Sequence, residues 1–176
     1  SPSTTTEVAM SFFKAKPSLP TPALQVLRPD LNQAVLATPQ KVSRSLLATP
    51  AVLNYLNERL PVDETVQDIV SCGGTIDEYL ADIHWSGGLV LTDKRLVVAR
   101  TREGASGITV LAWPFAELSS VSFQPHNVRG VTGGAVFIEY GHGTQLELSV
   151  DGDTSHAAAF FQAVQARLNN SGRYSL

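Results

Sequence analysis

The side chains that could carry out chemistry in this chain are few and widely spaced. Its four histidines never fall at the His-x-x-x-His spacing that lets two imidazoles on one helix face share a metal ion. They are His84, His126, His142 and His156. Cys72 is the only cysteine, so the chain contains neither a Cys-x-x-Cys metal pair nor an internal disulfide. The pattern therefore predicts no metal site and no bound cofactor.

Motifs for covalent or phosphate chemistry are also missing from the sequence. Cys72 ends an apolar run, and free cysteine is among the most buried residue types, so we interpret it as a core residue. The glycines of 130–134 lie between two predicted strands and lack the following helix N-terminus on which phosphate cradles depend. No nucleophile is paired with a base at a recognisable spacing. We therefore expect a protein that is not an enzyme.

Three basic side chains are the candidates for ligand binding. Arg100 and Arg102 enter the predicted connection between the third and fourth strands, and His84 lies in the predicted loop 73–87 between the first and second. All three are expected at one open end of the sheet, where they could contact an anion or a lipid headgroup. The alternative is that the arginines are ordinary solvated side chains, because exposed charges are common and their pairs contribute little to stability.

The charge balance bears on the kind of partner. A net charge of −3 without clustered Lys and Arg does not favour binding to nucleic acid or to an anionic membrane. The first 60 residues carry six basic and three acidic side chains, whereas the remainder carries seven basic and thirteen acidic ones. The two parts could therefore attract one another, within one subunit or between neighbours. Only 16% of the residues are charged, which fits a protein with much covered surface, such as a homo-oligomer, and equally fits a compact β-rich domain.

The cellular location is inferred from cysteine usage and hydropathy. A single cysteine is typical of a protein from a reducing compartment. No run approaches the roughly 20 apolar residues of a membrane span, and residues 1–6 do not resemble a signal peptide. We expect a cytoplasmic protein.

Two kinds of segment precede the strands. Residues 1–20 are rich in Ser, Thr and Pro and are predicted to be a mobile arm. Phe12 and Phe13 are apolar exceptions within this arm, and the pair could dock on a neighbouring subunit or pack onto its own domain. Residues 21–60 are predicted to be helical in short pieces, because each Thr-Pro pair combines a good N-cap with Pro at the first helical position. The pairs are Thr21-Pro22, Thr38-Pro39 and Thr49-Pro50.

From about residue 64 to residue 150 the apolar pattern has a period of 2, which predicts β-strands. The predicted strands are 65–72, 88–92, 95–102, 108–113, 118–123, 134–140 and 144–150. The first strand is predicted to end at Gly73-Gly74, and each strand is expected to bury one face, as in a half-buried antiparallel sheet. An amphipathic helix over about 154–168 would then cover one end of the bent sheet, whose open edge needs protection.

This element order resembles the pleckstrin-homology-like superfamily, and three motifs support the resemblance. The segment 88–98, Gly-Leu-Val-Leu-Thr-Asp-Lys-Arg-Leu-Val-Val, is similar to the second hairpin of bacterial PH-like and GRAM-like domains. Leu60–Val66 resembles the lead-in to the first strand, and Trp113-Pro114 with 118–121 resembles the fourth strand and the link to the fifth. Within the hairpin motif, we expect Thr92, Asp93 and Arg95 to fix the turn and its register.

The resemblance implies an α+β, mainly β fold: a seven-stranded bent antiparallel sheet or barrel with a C-terminal capping helix, preceded by a helical extension. It divides the chain into a mobile arm (1–20), a helical extension (21–60), a PH-like domain (61–170) and a tail (171–176). Family members that bind phosphoinositides use basic residues in the loop between strands one and two. The corresponding loop here has three acidic residues and no Lys or Arg, so membrane binding is possible but disfavoured.

The function expected from these features is that of a non-catalytic protein-interaction or self-assembly module. Bacterial PH-like domains often form homo-oligomers, and the groove between the last helix and strand five could take an added peptide strand. The partner would be another protein or a second copy of the chain. A peripheral sensor of lipids or anionic ligands is the alternative, and an enzyme is the third possibility.

Overall fold

The structure, a computed structural model, describes residues 23–38, 50–78, 81–102, 107–126 and 132–173. Its elements are helices α1 (Pro29–Ala37) and α2 (Pro50–Arg59), strands β1 (Val66–Glu78), β2 (Ala81–Thr92), β3 (Arg95–Arg102), β4 (Ile108–Pro114), β5 (Leu118–Pro125), β6 (Gly134–Tyr140) and β7 (Thr144–Val150), and helix α3 (Thr154–Arg173). A 3-10 turn, Phe115–Glu117, joins β4 to β5. The predictions for the arm, including Phe12 and Phe13, lie outside the described residues.

The strands form one sheet in the order β4-β3-β2-β1-β7-β6-β5, and every neighbouring pair is antiparallel. The predicted fold class, a mainly β α+β fold with a bent seven-stranded antiparallel sheet and a C-terminal helix, is confirmed. β1 joins the two halves of the sheet, because it pairs with β2 along its length and with β7 at Cys72 and Gly73. β4 and β5 are consecutive in the chain and form the two edges of the sheet.

The prediction of a loop at 73–87 was wrong, because this part of the chain is a long hairpin of β1 and β2. β1 continues through Gly73 and Gly74, with Gly74 opposite Trp85. A Cβ at Gly74 would lie 2.9 Å from the indole of Trp85, so glycine is needed there for the close approach of the ring. The two glycines therefore accommodate a tryptophan inside the sheet and do not end the strand.

The inner face of the sheet forms the larger hydrophobic core, which α3 closes. Phe160 and Val164 of α3 are fully buried, and Phe161 is nearly so. They pack against inward side chains from both halves of the sheet, including Leu89, Leu91, Leu96, Val98, Val121, Val136, Ile138 and Leu148. Cys72 belongs to this core, in agreement with its interpretation from the sequence. α3 continues to Arg173, beyond its predicted end at residue 168, and the Ser171 hydroxyl donates to the Arg167 carbonyl in its last turns.

Helices α1 and α2 cover the outer face of the first four strands and form a second core there. Leu31, Val52, Leu53 and Leu56 are almost completely buried in it. They face outward-pointing strand residues, among them Val66, Ile69, Val90, Val97 and Ala99. The expectation of one buried face per strand is therefore wrong for β1, β2 and β3, because the helical layer covers their second face.

The segment that precedes α1 is bound to α2 by two asparagine side chains. Asn54 accepts from the Gln25 backbone N–H at 2.8 Å and donates to the Ala23 carbonyl at 2.9 Å. Asn57 donates to the Val26 carbonyl at 3.1 Å. The first described residues are thus fixed on the outer layer of the protein, across the sheet from α3.

Candidate functional site

The three predicted ligand-binding residues lie on strands near one end of the sheet. In the register of the sheet, Arg102 is opposite Trp85 and Arg100 is opposite Gly87. His84 lies on β2, directly before Trp85. The Arg100 guanidinium carbon lies 5.0 Å from the centroid of the Trp85 ring, a cation–π contact. The structure brings the three residues to a common end and gives Arg100 an intramolecular partner, and anion binding by them remains a prediction.

The hairpin motif is held by a buried carboxylate that the sequence analysis did not single out. Arg95 binds both oxygens of Glu64, with Nε 2.7 Å from Oε1 and Nη2 3.0 Å from Oε2. The Thr92 hydroxyl donates to the same Oε1 at 2.7 Å, and it accepts from the Arg95 N–H at 3.0 Å. Asp93 accepts from the Thr65 N–H at 2.8 Å, so Arg95 pairs with Glu64 and not with Asp93. Nothing in the pattern of the residues around Glu64 indicated that this acid would be buried.

The titratable groups of the core make structural contacts. Within the described residues, no cluster of three or more His, Cys, Asp and Glu side chains could hold a metal ion. Burial raises the pKa of the Cys72 thiol, which therefore lacks the thiolate character of nucleophilic cysteines. His156 Nε2 lies 3.3 Å from Asp68 and 3.2 Å from the Ile69 carbonyl, so it links the start of α3 to β1.

A cleft with a volume of about 560 Å³ lies between edge strand β5 and α3. Its apolar floor contains Phe123 and Phe161, whose rings stack with centroids 5.0 Å apart and an interplanar angle of 18°. Exposed amides of α3 line one wall. The lining residues are Val121, Ser122, Phe123, Ala158, Phe161, Gln162, Gln165, Ala166 and Asn169. The cleft is therefore apolar at the bottom and polar but uncharged at the rim.

A second cleft of about 370 Å³ extends the first along β5 toward the 3-10 turn. The two clefts share Gln165 and Asn169 among their lining residues, so they lie next to each other along the strand. The extension is lined by Phe115, Ala116, Leu118, Ser119, Ser120, Gln165, Leu168, Asn169 and Ser171. We call the combined depression the β5–α3 groove. None of its lining residues carries a charge.

The backbone of β5 faces this groove at alternate residues. The Gln165 side-chain amide donates to the Val121 carbonyl, so this carbonyl points toward α3 and away from β6. In an antiparallel strand the N–H and C=O of one residue point to the same side, and successive residues alternate. Val121 and Phe123 therefore direct their backbone groups at the groove, while Ser122 faces β6. This geometry can accept a further strand.

The sequence predicted this groove from the order of the elements, but it did not predict Gln165. The periodicity of α3 places Gln165 on the polar side of an amphipathic helix, where amides are usual. Only the packing of α3 against β5 shows that its amide binds the edge of the sheet. No helix in the described part of the chain has the length and hydropathy to cross a membrane.

Comparisons with known proteins identify no family for this chain. No family model matches the sequence, and no curated protein matches it. Several solved structures are similar, and two of them are domains. One is the C-terminal domain of an unknown protein from Leishmania infantum, with 16% identity, a TM-score of 0.41 and coverage of 60% of this chain and 84% of that one. The other is the hSac2 domain from the human phosphoinositide phosphatase Sac2, with 13% identity, a TM-score of 0.42 and coverage of 72% and 81%. Neither similarity is close enough to indicate what this chain binds.

Proposed function

We propose that this chain is a non-catalytic protein-interaction module that binds an extended, uncharged peptide segment in the β5–α3 groove. The observation that carries this proposal is the orientation of β5, an edge strand whose Val121 carbonyl points into an apolar cleft. An added strand would pair with β5 through main-chain hydrogen bonds. Alternate side chains of the ligand would contact the floor formed by Phe123 and Phe161.

The chemistry of the lining selects the class of ligand. A charged side chain in the groove would lose its hydration without an opposite charge among the lining residues, and this loss is costly. An apolar side chain removes further surface from water, with about 25 cal/mol gained for each Å² buried. The lining therefore favours an extended segment of aliphatic or aromatic residues.

Gln165 occupies part of the binding edge in the free protein. A ligand that pairs with β5 donates an N–H to the Val121 carbonyl, which already accepts from the Gln165 amide. A carbonyl has two lone pairs, so the ligand can share this acceptor or displace the amide. If the Gln165 amide is displaced, it can bind the backbone of the ligand instead. The hydrogen bond that the amide loses to Val121 is then replaced by one to the ligand.

The proposed family assignment rests on the sequence motifs together with the observed element order. The hairpin motif 88–98 forms the turn between β2 and β3, and the single C-terminal helix closes the inner face of the sheet. We propose on this basis that the sheet and α3 form a PH-like domain of the bacterial type.

The alternative function, binding of an anionic ligand or lipid, has less support. Arg100 already stacks on the ring of Trp85, and the sequence 73–87 contributes three acidic residues and no Lys or Arg. Sedimentation with vesicles of phosphatidylserine and phosphatidylcholine at low salt tests this function. Binding that is lost on Arg100→Gln would favour the alternative over the groove.

The groove is tested by selecting random dodecapeptides displayed on phage against the full chain. The expected result is enrichment of uncharged apolar sequences, with amide shifts on titration at residues 118–125 and 158–169 in NMR spectra. Ala166→Glu places a charge inside the groove at an exposed helix position and should abolish binding of the selected peptides. Ala163→Glu is the matched control, because Ala163 is exposed on the same helix and does not line the groove. Equal binding by both variants would refute the proposal.

A further inference from the structure

We propose that the ligand of the β5–α3 groove is residues 8–13 of a second copy of this chain. The inference rests on the proposed function of the groove and names its occupant. The segment has the sequence Val-Ala-Met-Ser-Phe-Phe, and it lies outside the residues that the structure describes. Its side chains are all uncharged, as the lining of the groove requires.

The apolar side chains of this segment fit a strand on the groove. In an extended conformation Val8, Met10 and Phe12 would point to one side, and Ala9, Ser11 and Phe13 would point to the other. The first set can face the stacked rings of Phe123 and Phe161, where aromatic and thioether contacts are favourable. Six residues in a strand span roughly 20 Å, which fits within the roughly 26 Å of the eight-residue β5.

The other segments outside the described ranges fit the groove less well. Residues 39–49 contain Lys41 and Arg44, and 127–131 contain Arg129. Residues 17–22 are uncharged, but three of them are prolines, which have no N–H to donate to β5. Residues 8–13 are the longest stretch outside the described ranges that has neither a charge nor a proline.

A second copy is favoured over the same copy by the position of the first described residues. Ala23 is bound to α2 by Asn54, and α2 covers the outer face of the sheet, whereas α3 covers its inner face. Pro17, Pro20 and Pro22 lie in the connection, and proline-rich connections favour an extended conformation with about 3.1 Å per residue. A stiff connection that starts on the outer layer favours the groove of a neighbour over the groove that the same copy forms with α3.

Charge and symmetry agree with this arrangement. Residues 1–22 carry two basic side chains and one acidic one, a net charge of +1, whereas the rest of the chain has a net charge of −4, so the arm of one copy meets a body of opposite sign. The contact joins two different surfaces, the segment of one copy and the groove of the next. Such a contact closes when two copies exchange their segments or when several copies form a ring, and otherwise it repeats into a filament.

The test measures the mass of the full-length chain by light scattering after size exclusion over a range of concentrations. We expect the wild type to form dimers or larger assemblies and to dissociate on dilution. Phe12→Asp, which removes the apolar segment, and Ala166→Glu, which blocks the groove, should each give monomers. Thr5→Asp and Ala163→Glu are the matched controls, and both should assemble as the wild type does.

Mixing the two monomeric variants tests whether the segment of one copy binds the groove of another copy or the groove of its own. Phe12→Asp keeps an intact groove and Ala166→Glu keeps an intact segment, so their mixture should form dimers and stop there. Monomers in the mixture, or a wild type that stays monomeric at every concentration, would overturn the proposal. If the segment docked in the groove of its own copy, the wild type would stay monomeric. Assembly of the wild type would therefore exclude docking within one copy.

A synthetic peptide of residues 6–15 separates this proposal from the proposed function. The Phe12→Asp variant of the full chain is the receptor, because its own altered segment does not compete with the peptide for the groove. The peptide should bind this receptor, and Ala166→Glu introduced into it should weaken binding by about a hundredfold or more. If phage-selected peptides bind and this peptide does not, the groove stands and the occupant is wrong. If neither binds, both proposals fail.

Discussion

Arg95 on β3 forms a bidentate ion pair with Glu64, whose side chain is only 3% exposed, at the start of the sheet. Thr92 donates to the same carboxylate, so one buried acid joins the lead-in to β1 with the turn between β2 and β3. The hairpin motif that marks the family resemblance is therefore a folding element.

Removal of the Arg95 charge should strongly destabilise the fold. Arg95→Met keeps the apolar stem of the side chain and leaves the Glu64 carboxylate buried without its cation, which costs about 3 kcal/mol in the free energy of unfolding. Addition of Glu64→Gln to Arg95→Met should recover part of this loss, because the buried group is then neutral. Urea denaturation of the single and double variants measures both effects.

Lys94→Met is the control for the Arg95 variant. Lys94 pairs with Asp63 at 2.9 Å, but both side chains are largely exposed, so solvent screens the pair and the variant should unfold as the wild type does. Equal midpoints for the Arg95 and Lys94 variants would contradict the role assigned to Glu64.

The helical layer should unfold together with the sheet. Leu53 is completely buried between α2 and the outer face, so Leu53→Ala should cost about 3 kcal/mol. Trp85 and Trp113 lie in the inner core, and their fluorescence reports the unfolding of the sheet. We expect the fluorescence midpoint to shift in Leu53→Ala and to stay constant in Leu36→Ala, whose leucine is 75% exposed. An unchanged midpoint in Leu53→Ala would show that the layer unfolds independently.

The turn into β6 depends on a glycine for two separate reasons. Gly133 has a φ of +96°, and a Cβ there would lie 1.9 Å from the Val150 carbonyl oxygen. Gly133→Ala should therefore cost about 3 kcal/mol or more, from backbone strain and the collision together. Gly143 has a φ of +90° with open space around it, so Gly143→Ala should cost only the strain, about 1 kcal/mol. Thermal unfolding of both variants checks the order, and a smaller effect at Gly133 would contradict it.

The stability of the protein should depend on pH through Asp68. Burial raises the pKa of its carboxyl, against the opposing effects of His156 and of the Ile69 N–H, so the folded state binds this proton more tightly than the unfolded state does. Ionised Asp68 therefore lowers stability above the raised pKa, and this loss disappears as the pH falls toward the unfolded value of 3.8.

Asp68→Asn tests this dependence, because the amide oxygen can still accept from the Ile69 N–H. The variant should exceed the wild type in stability at neutral pH, and the difference should shrink as the pH falls to about 4. Urea denaturation at a series of pH values measures the difference. A gap that widens on acidification would show that the pKa of Asp68 is shifted in the other direction.

The periodicity of the sequence predicted every strand of the sheet, but it placed the ends of β1 and β2 wrongly. Glycine usually interrupts a strand, and Gly73-Gly74 was interpreted in this way. The reason for glycine at position 74 is the indole of Trp85 on the next strand. A contact between residues that are distant in sequence has no signature in local pattern, and the same is true of Glu64 and Arg95.

For the proposed site, the order of the elements predicted a groove between β5 and the last helix. The residues that line this groove became known only from the tertiary structure. Gln165 appears in the sequence as an ordinary polar residue of an amphipathic helix. The packing of α3 directs its amide to the Val121 carbonyl and shows which residues of β5 face the groove.

The sequence by itself determined the number and order of the strands and the closing helix, because these follow from apolar period and turn residues within short segments. The tertiary structure decided that α1 and α2 cover the outer face of β1–β4, and that β5 keeps an open edge beside an uncharged cleft. Both features depend on contacts between elements that are far apart in the sequence. Local periodicity carries no information about which of these elements pack together.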